Sequence, residues 1–149
     1  RAGYEKNRKA TRFFNYLVSD SSGAKQTLFA AGPLSSTDAE RIEAWLPGRE
    51  RKPIEVETIT LNDLLDRAGV ETVDFLSMDI EGGEAAALRG FDIARFRPDL
   101  VCIEVAQANR DFVESYFSKH GYQRLEEYAA YDSVNQYYAR RGRGPEPGS

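Results

Sequence analysis

Apolar and polar positions alternate along this chain with two different periods, and the switching between them predicts a succession of strands and helices. Residues 13–18 are aromatic and β-branched enough for a strand, and the turn Ser19-Asp20-Ser21-Ser22-Gly23 follows. Residues 25–31 read as a second, short strand, which makes a hairpin across that turn. Thr37 stands where a helix needs a cap, with Glu40 three residues on and Ile42, Trp45 and Leu46 as the apolar side. Pro47-Gly48 ends that helix, and the charged residues 49–52 read as an exposed loop.

Residues 54–59 alternate as a half-buried strand does. Thr60 and Asp63 cap the next helix, whose inner stripe is Leu61, Leu64, Leu65 and Ala68 and whose stop is Gly69. Residues 73–80 are strand-like and run straight into Glu81-Gly82-Gly83-Glu84, with a helix from Glu84 to about Arg89. Residues 100–105 form a continuous apolar strand broken only by Glu104. Asn109 caps a helix carrying Phe112, Val113, Tyr116 and Phe117 on one face and closed by Gly121. Residues 122–128 and 133–140 pair as antiparallel strands. At the ends, residues 4–10 read as the end of a helix, and residues 142–149, rich in glycine and proline, as a disordered tail.

This order predicts an α/β domain over residues 1–141, a mostly parallel sheet covered on both faces with an antiparallel hairpin at its C-terminal end. Its 149 residues fit a single domain, and a hydrophobic content of 41% supplies a core that needs neither disulfides nor a structural metal. The one cysteine, Cys102, has no partner for an internal bridge, and inside an apolar run it reads as a buried free thiol. A reducing, cytoplasmic setting follows. Acids outnumber bases by 24 to 20, a net charge of -4 that argues against a general nucleic-acid binder. The basic clusters at residues 1–12 and 140–143 read as solvated surface. No stretch approaches the roughly 20 apolar residues of a membrane span, and the polar N-terminus is no signal peptide. The start at Arg1 implies an upstream segment that is not part of this chain.

In open parallel sheets, ligands bind in the crevice beyond the carboxyl ends of the strands. Asp79 and Glu81 close one apolar run and Glu104 closes the next, so neighbouring strands would bring three carboxylates to one crevice beside Gly82-Gly83. The glycines permit close approach of a ligand, and the following helix offers free N–H groups there. One reading makes Glu81 and Glu84 first-turn acids that favour the helix dipole, with Asp79 as a cap. It leaves out Glu104, an acid whose burial in an apolar strand is costly without a partner. The other reading is an acidic rim that binds a cofactor, a metal or a substrate hydroxyl.

The flanks of this rim carry a family resemblance. Residues 56–65, with Thr60-Leu61-Asn62-Asp63-Leu64, then residues 73–84, then Leu88-Arg89-Gly90, resemble the FkbM family of methyltransferases. That family shows "T-L-D-x-L", then "D-F-L-K-I-D-V-E-G-x-E", then "L-x-G", then a strand ending in "I-E", which here is Ile103-Glu104. Residues 14–20, followed by Gly23, are similar to its strand and "S-D-x-x-G" turn, so the likeness runs from about Tyr4 to Arg140. The resemblance implies a Rossmann-like methyltransferase fold, N-terminally truncated, and an S-adenosylmethionine-dependent enzyme that methylates a hydroxyl on a small molecule or sugar. By the same analogy Asp79 lies near the methionine end of the cofactor, Ser19 and Asp20 lie near its adenine, and Glu81 and Glu104 face the acceptor. Asp79, Glu81 and Glu104 are then the catalytic candidates, and Ser19, Asp20 and Asp79 the cofactor-binding ones. A carboxylate there draws the hydroxyl proton or holds a divalent ion that lowers its pKa.

The chain departs from the family at three points. No G-x-G-x-x-G occurs, Ser77 stands for the common lysine, and Asn62 for the common aspartate. The missing glycine loop favours a different class, a non-catalytic α/β binding or assembly module without cofactor binding. A metal-dependent hydrolase using Asp79, Glu81 and Glu104 ranks below both, because no histidine lies near them in the sequence. His120 sits at a helix C-terminus, a structural place for a cation. Trp45 reads as core or loop packing. Tyr128, Tyr131, Tyr137 and Tyr138 read as sheet surface or core, with an acceptor wall or a homo-oligomer interface as further options.

Overall fold

Eight residues of β3, Lys52–Ile59, form the longest strand and organise the first of two sheets. The computed structural model describes residues 11–31, 35–48 and 52–142. β3 lies between β1 (Leu17–Val18) and β2 (Lys25–Ala30), parallel to β1 and antiparallel to β2. The second sheet has the order β4 (Phe75–Met78), β5 (Leu100–Glu104), β7 (Asn135–Arg140), β6 (Tyr122–Arg124). Here β4 and β5 run parallel, with Met78 opposite Ile103, while β7 runs antiparallel to both β5 and β6. Among the described residues the helices are α1 (Ala39–Trp45), α2 (Leu61–Arg67), α3 (Glu84–Arg89), α4 (Ile93–Phe96) and α5 (Arg110–Lys119). No helix among the described residues is long and apolar enough to cross a membrane.

The expectation of a mostly parallel sheet is therefore corrected to two mixed sheets. The final hairpin is present as expected, and connection length explains its direction. Between β6 and β7 the chain has only residues 125–134, whose one helical stretch is the 3-10 turn Glu126–Ala130, too short a connection for a parallel crossover. The second correction concerns residues 13–31. Leu17–Val18 and Lys25–Ala30 do not pair with each other. The turn between them wraps the end of β3 instead, with Ser19 N–H donating to the Ile59 carbonyl (2.9 Å), Gly23 N–H to Thr58 O (2.9 Å) and Thr58 N–H to Ala24 O (2.7 Å). A longer strand with alternating side chains offers two edges, and both neighbours take one.

Local signals acted where a side chain could reach a free N–H. Thr60 caps α2, its hydroxyl accepting from Asp63 N–H at 3.1 Å. At α1 the cap is Asp38, which accepts from Glu40 N–H at 2.9 Å, so the expected cap at Thr37 is one residue early. Asn109 stands at the start of α5 but makes no side-chain cap bond. The strand expected over residues 122–128 ends at Arg124: buried Leu125 still donates to the Tyr137 carbonyl (2.8 Å), but a 3-10 turn over Glu126–Ala130 then takes the backbone out of the ladder with β7. Trp45 is exposed, and Cys102 is half-buried, not fully buried. The expected helix end at residues 4–10 and the tail after Gly142 lie outside the described residues.

The main core sits on the second sheet under α3, α4 and α5. Leu88, Ile93, Phe96, Val101, Ile103, Val113 and Phe117 are all at 0% exposure, which removes about 1.5–3 kcal/mol worth of apolar surface from water at each large side chain. Phe117 stacks on Tyr138 at 4.0 Å between ring centres, tying α5 to β7. This packing makes β4 and β5 a rigid pair whose carboxyl ends open on the same side.

Candidate functional site

The site begins where β4 stops. Asp79 follows Met78 directly, and Glu104 is the last residue of the adjacent parallel strand β5. Between β4 and α3 the chain makes a tight turn in which Glu81 has φ +55 and Gly82 has φ +99. A left-handed glutamate is uncommon and stores strain, so the surroundings must hold it there. Two buried side chains do so. Glu84, 2% exposed, accepts from Ile80 N–H (3.0 Å) and Gly82 N–H (3.3 Å) through Oε1. Ser36, 3% exposed, donates its hydroxyl to the Glu81 carbonyl (3.0 Å) and accepts from Asp38 N–H (3.2 Å).

Carboxylate oxygens of Asp79, Glu81 and Glu104 lie within 4.8 Å of one another. Asp79 is exposed, and the other two are half-buried. Glu104 bears the consequence. Partial burial first, then the Asp79 charge and a hydrogen bond with Asp79, then the Glu81 and Glu84 charges, push its pKa up to about 7. The helix-dipole reading of these acids is thereby narrowed: Gly83, not Asp79, occupies the cap position of α3, and Glu84 turns its carboxylate back onto the preceding turn.

The opposite wall is the carboxyl end of β1. Ser19 is buried and Asp20 is exposed, with the Ser19 hydroxyl 3.5 Å from Asp20 Oδ1. A cleft of about 460 Å³ lies between these walls, within the range of small-molecule sites. Ser19, Asp20, Asp79 and Glu81 all line it, together with apolar Leu17, Val18, Leu28 and Ile80. Glu104 is not among the lining residues, but its carboxylate stands at the edge of the cleft, within 4.8 Å of those of Asp79 and Glu81.

The expected site residues are thus gathered in one region, but the sequence reading missed several others. Ser35, Ser36, Thr37 and Gln26 also line the cleft. The sequence marks Thr37 only as a helix cap and Gln26 only as a strand residue, and serines in a loop follow no period, so nothing in the local pattern points any of them at the cleft. Glu84 did carry a signal, the E-G-x-E spacing, and was read as a dipole acid instead of a turn-binding one.

The motif around this rim decides the family, because a model of the methyltransferase FkbM domain matches residues 4–124. The chain belongs to the FkbM methyltransferase family. It is accordingly an S-adenosylmethionine-dependent methyltransferase, and the family implies a Rossmann-like fold. No curated protein and no solved structure gives a significant match to the chain. The matched span contains both walls of the cleft and all three rim carboxylates, while β7 lies beyond it.

Two departures from the FkbM pattern acquire a structural meaning. Asn62, in place of the common aspartate, accepts from Asp92 N–H through Oδ1 at 2.7 Å, an acceptor role that an amide oxygen fills. Its own N–H reaches the Gly90 carbonyl at 3.3 Å, so it pins the segment after α3 to the start of α2. Ser77, in place of the common lysine, is exposed on β4 and points away from the core.

Proposed function

We propose that this FkbM methyltransferase transfers the methyl group of S-adenosylmethionine to a hydroxyl oxygen on a neutral small molecule or sugar, with Glu104 as the base. The supporting observation is the convergence of the Asp79, Glu81 and Glu104 oxygens within 4.8 Å at one lip of the cleft. The cleft suits the cofactor chemically. Leu17, Val18, Leu28 and Ile80 offer an apolar bed for a purine, and carboxylates offer charge for a sulfonium and an amino group. Ser19 and Asp20 would hold the adenosine side and Asp79 the methionine side. When bound, S-adenosylmethionine would supply an electrophilic methyl carbon for the acceptor oxygen, with the C–S electron pair left on sulfur.

The remaining work belongs to the protein. Methyl transfer depends on an oxygen held in line, so the rim acts first by positioning. Glu81 and Asp79 accept hydrogen bonds from acceptor hydroxyls. Glu104 takes the hydroxyl proton, and a pKa near 7 makes it a stronger base than an ordinary carboxylate while leaving it substantially ionised at neutral pH. Carboxylates and the Ser35 and Thr37 residues on the cleft wall favour a neutral polyol and repel a phosphorylated one. Titration calorimetry with S-adenosylhomocysteine, followed by its release from S-adenosylmethionine over a panel of methyl glycosides, tests the reading. Binding and release support it, and a chain that binds no S-adenosylhomocysteine ends it in favour of a non-catalytic module.

The same three oxygens are close enough to share one divalent cation, which favours a second reading of the rim. A cation would stabilise the ionised form of Glu104 and lower its pKa. Adding magnesium during a pH–rate measurement distinguishes the two, because only the metal reading moves the acidic limb to lower pH.

A further inference from the structure

The turn that follows β4 is held from both sides by side chains of two different segments. Glu84 binds it from α3, and Ser36 binds it from the segment that bridges to β2, where Ser36 and Phe29 exchange backbone hydrogen bonds at 2.9 and 3.4 Å. Their targets are consecutive: the N–H of Ile80, the carbonyl of Glu81 and the N–H of Gly82. The residue at the centre of the three is the left-handed Glu81, itself a rim carboxylate and two residues from another, Asp79.

We propose that Ser36 and Glu84 are positioning residues, a two-sided clamp that holds the backbone of residues 80–82 in its strained form and so aims the Asp79 and Glu81 carboxylates at the cleft. The proposal rests on the methyltransferase reading for what the aimed groups do. Geometry supplies the argument. A left-handed non-glycine residue relaxes to an ordinary conformation once its tethers go, and that relaxation rotates the peptide planes on which both carboxylates are mounted. Both clamp side chains are almost wholly buried, so water does not compete for their bonds. Ser36 also connects the two sheets at the cleft: its hydroxyl acts on the turn after β4 while its backbone bonds to β2. Neither clamp residue is offered as a group that touches substrate.

The test compares Ser36→Ala and Glu84→Ala with the conservative Ser36→Thr and Glu84→Gln, each in the whole protein. Amide hydrogen exchange at Ile80 and Gly82, the affinity for S-adenosylhomocysteine and the steady-state constants on methyl glycosides are the readouts. Glu84→Gln keeps an Oε1 acceptor for both N–H groups, and Ser36→Thr keeps the hydroxyl. The clamp predicts that the alanine variants exchange both amides at least 10-fold faster and lose 10-fold or more in kcat. KM and cofactor affinity should weaken alongside, because Asp79 and Glu81 are the groups that the clamp aims, and the conservative variants should recover most of the rate. If Glu84→Ala fails to fold, Ser36→Ala alone carries the test. Full turnover in folded Ser36→Ala, or a loss that Ser36→Thr does not rescue, overturns the clamp. Absent S-adenosylhomocysteine binding by the unsubstituted protein would instead overturn the methyltransferase reading, leaving the amide exchange to report on the clamp by itself.

Discussion

Gly90 stands so close to Ser19 that a Cβ on it would lie 2.6 Å from the Ser19 carbonyl oxygen and 3.2 Å from the Asp20 Cα. Both obstacles are backbone, and neither can swing aside. The glycine of the Leu88-Arg89-Gly90 motif is thus the spacer that lets the end of α3 press on the end of β1, one wall of the cleft.

Gly90→Ala should therefore displace the Ser19–Asp20 wall as well as lower stability. Overpacking of this kind costs about 1–3 kcal/mol. Chemical denaturation is expected to show that loss, and calorimetry a weakened affinity for S-adenosylhomocysteine. Full affinity in the alanine variant would separate the motif glycine from the cofactor wall.

The rate of methyl transfer should follow one ionisation near pH 7, rising as Glu104 loses its proton. Glu104→Gln removes the base and should cut kcat by about 10²–10⁴-fold, the usual range for a lost general base, and abolish that inflection. A pH–rate profile flat between 5 and 8 in the unsubstituted enzyme would remove Glu104 from the mechanism.

The same ionisation has a sign for stability. The folded pKa of about 7 lies above the ordinary value of 4.5, so the folded chain holds the proton more tightly than the unfolded one. Glu104 then favours folding least once pH has risen through this interval, and its contribution is lost between about pH 4.5 and 7. Denaturant midpoints measured from pH 5 to 8 should fall with rising pH, and Glu104→Gln should flatten that slope. An identical slope in the variant would show that other groups set it.

Glu81→Gly separates stability from activity. Glycine adopts φ +55 without the roughly 1–2 kcal/mol that a side chain costs there, and this offsets its larger unfolded-state entropy of about 0.5–1 kcal/mol. The midpoint of unfolding should hold or rise while turnover falls, since a rim carboxylate is gone. A clear loss of stability would mean that the Glu81 side chain holds the turn, and not the reverse.

Much of this arrangement was legible in the chain, and the residues explain which part. The apolar runs ending in Asp79 and Glu104 announced two neighbouring parallel strands, and β4 and β5 are such a pair. The Thr60–Asp63 cap and the Glu84–Arg89 helix were readable because their signals are local, a hydroxyl three residues from an N–H and a run of helix formers. What stayed hidden is non-local. Nothing near residue 20 says that Ser19 will bond to Ile59 and not face residue 25, because that choice depends on a strand more than thirty positions away. Ser36 was invisible for the same reason: its partner, Glu81, is 45 residues distant.

The cleft also has an architectural consequence. One of its banks belongs to the sheet built on β3 and the other to the sheet built on β5, so the crevice is a seam between two hydrogen-bonded halves. A molecule lodged in it works as a rivet. Whatever grips Ser19 on one bank and Asp79 on the other adds a second tie to halves already joined where Val18, Leu61, Leu64 and Leu65 pack on the main core, and tightening the occupant tightens the whole domain.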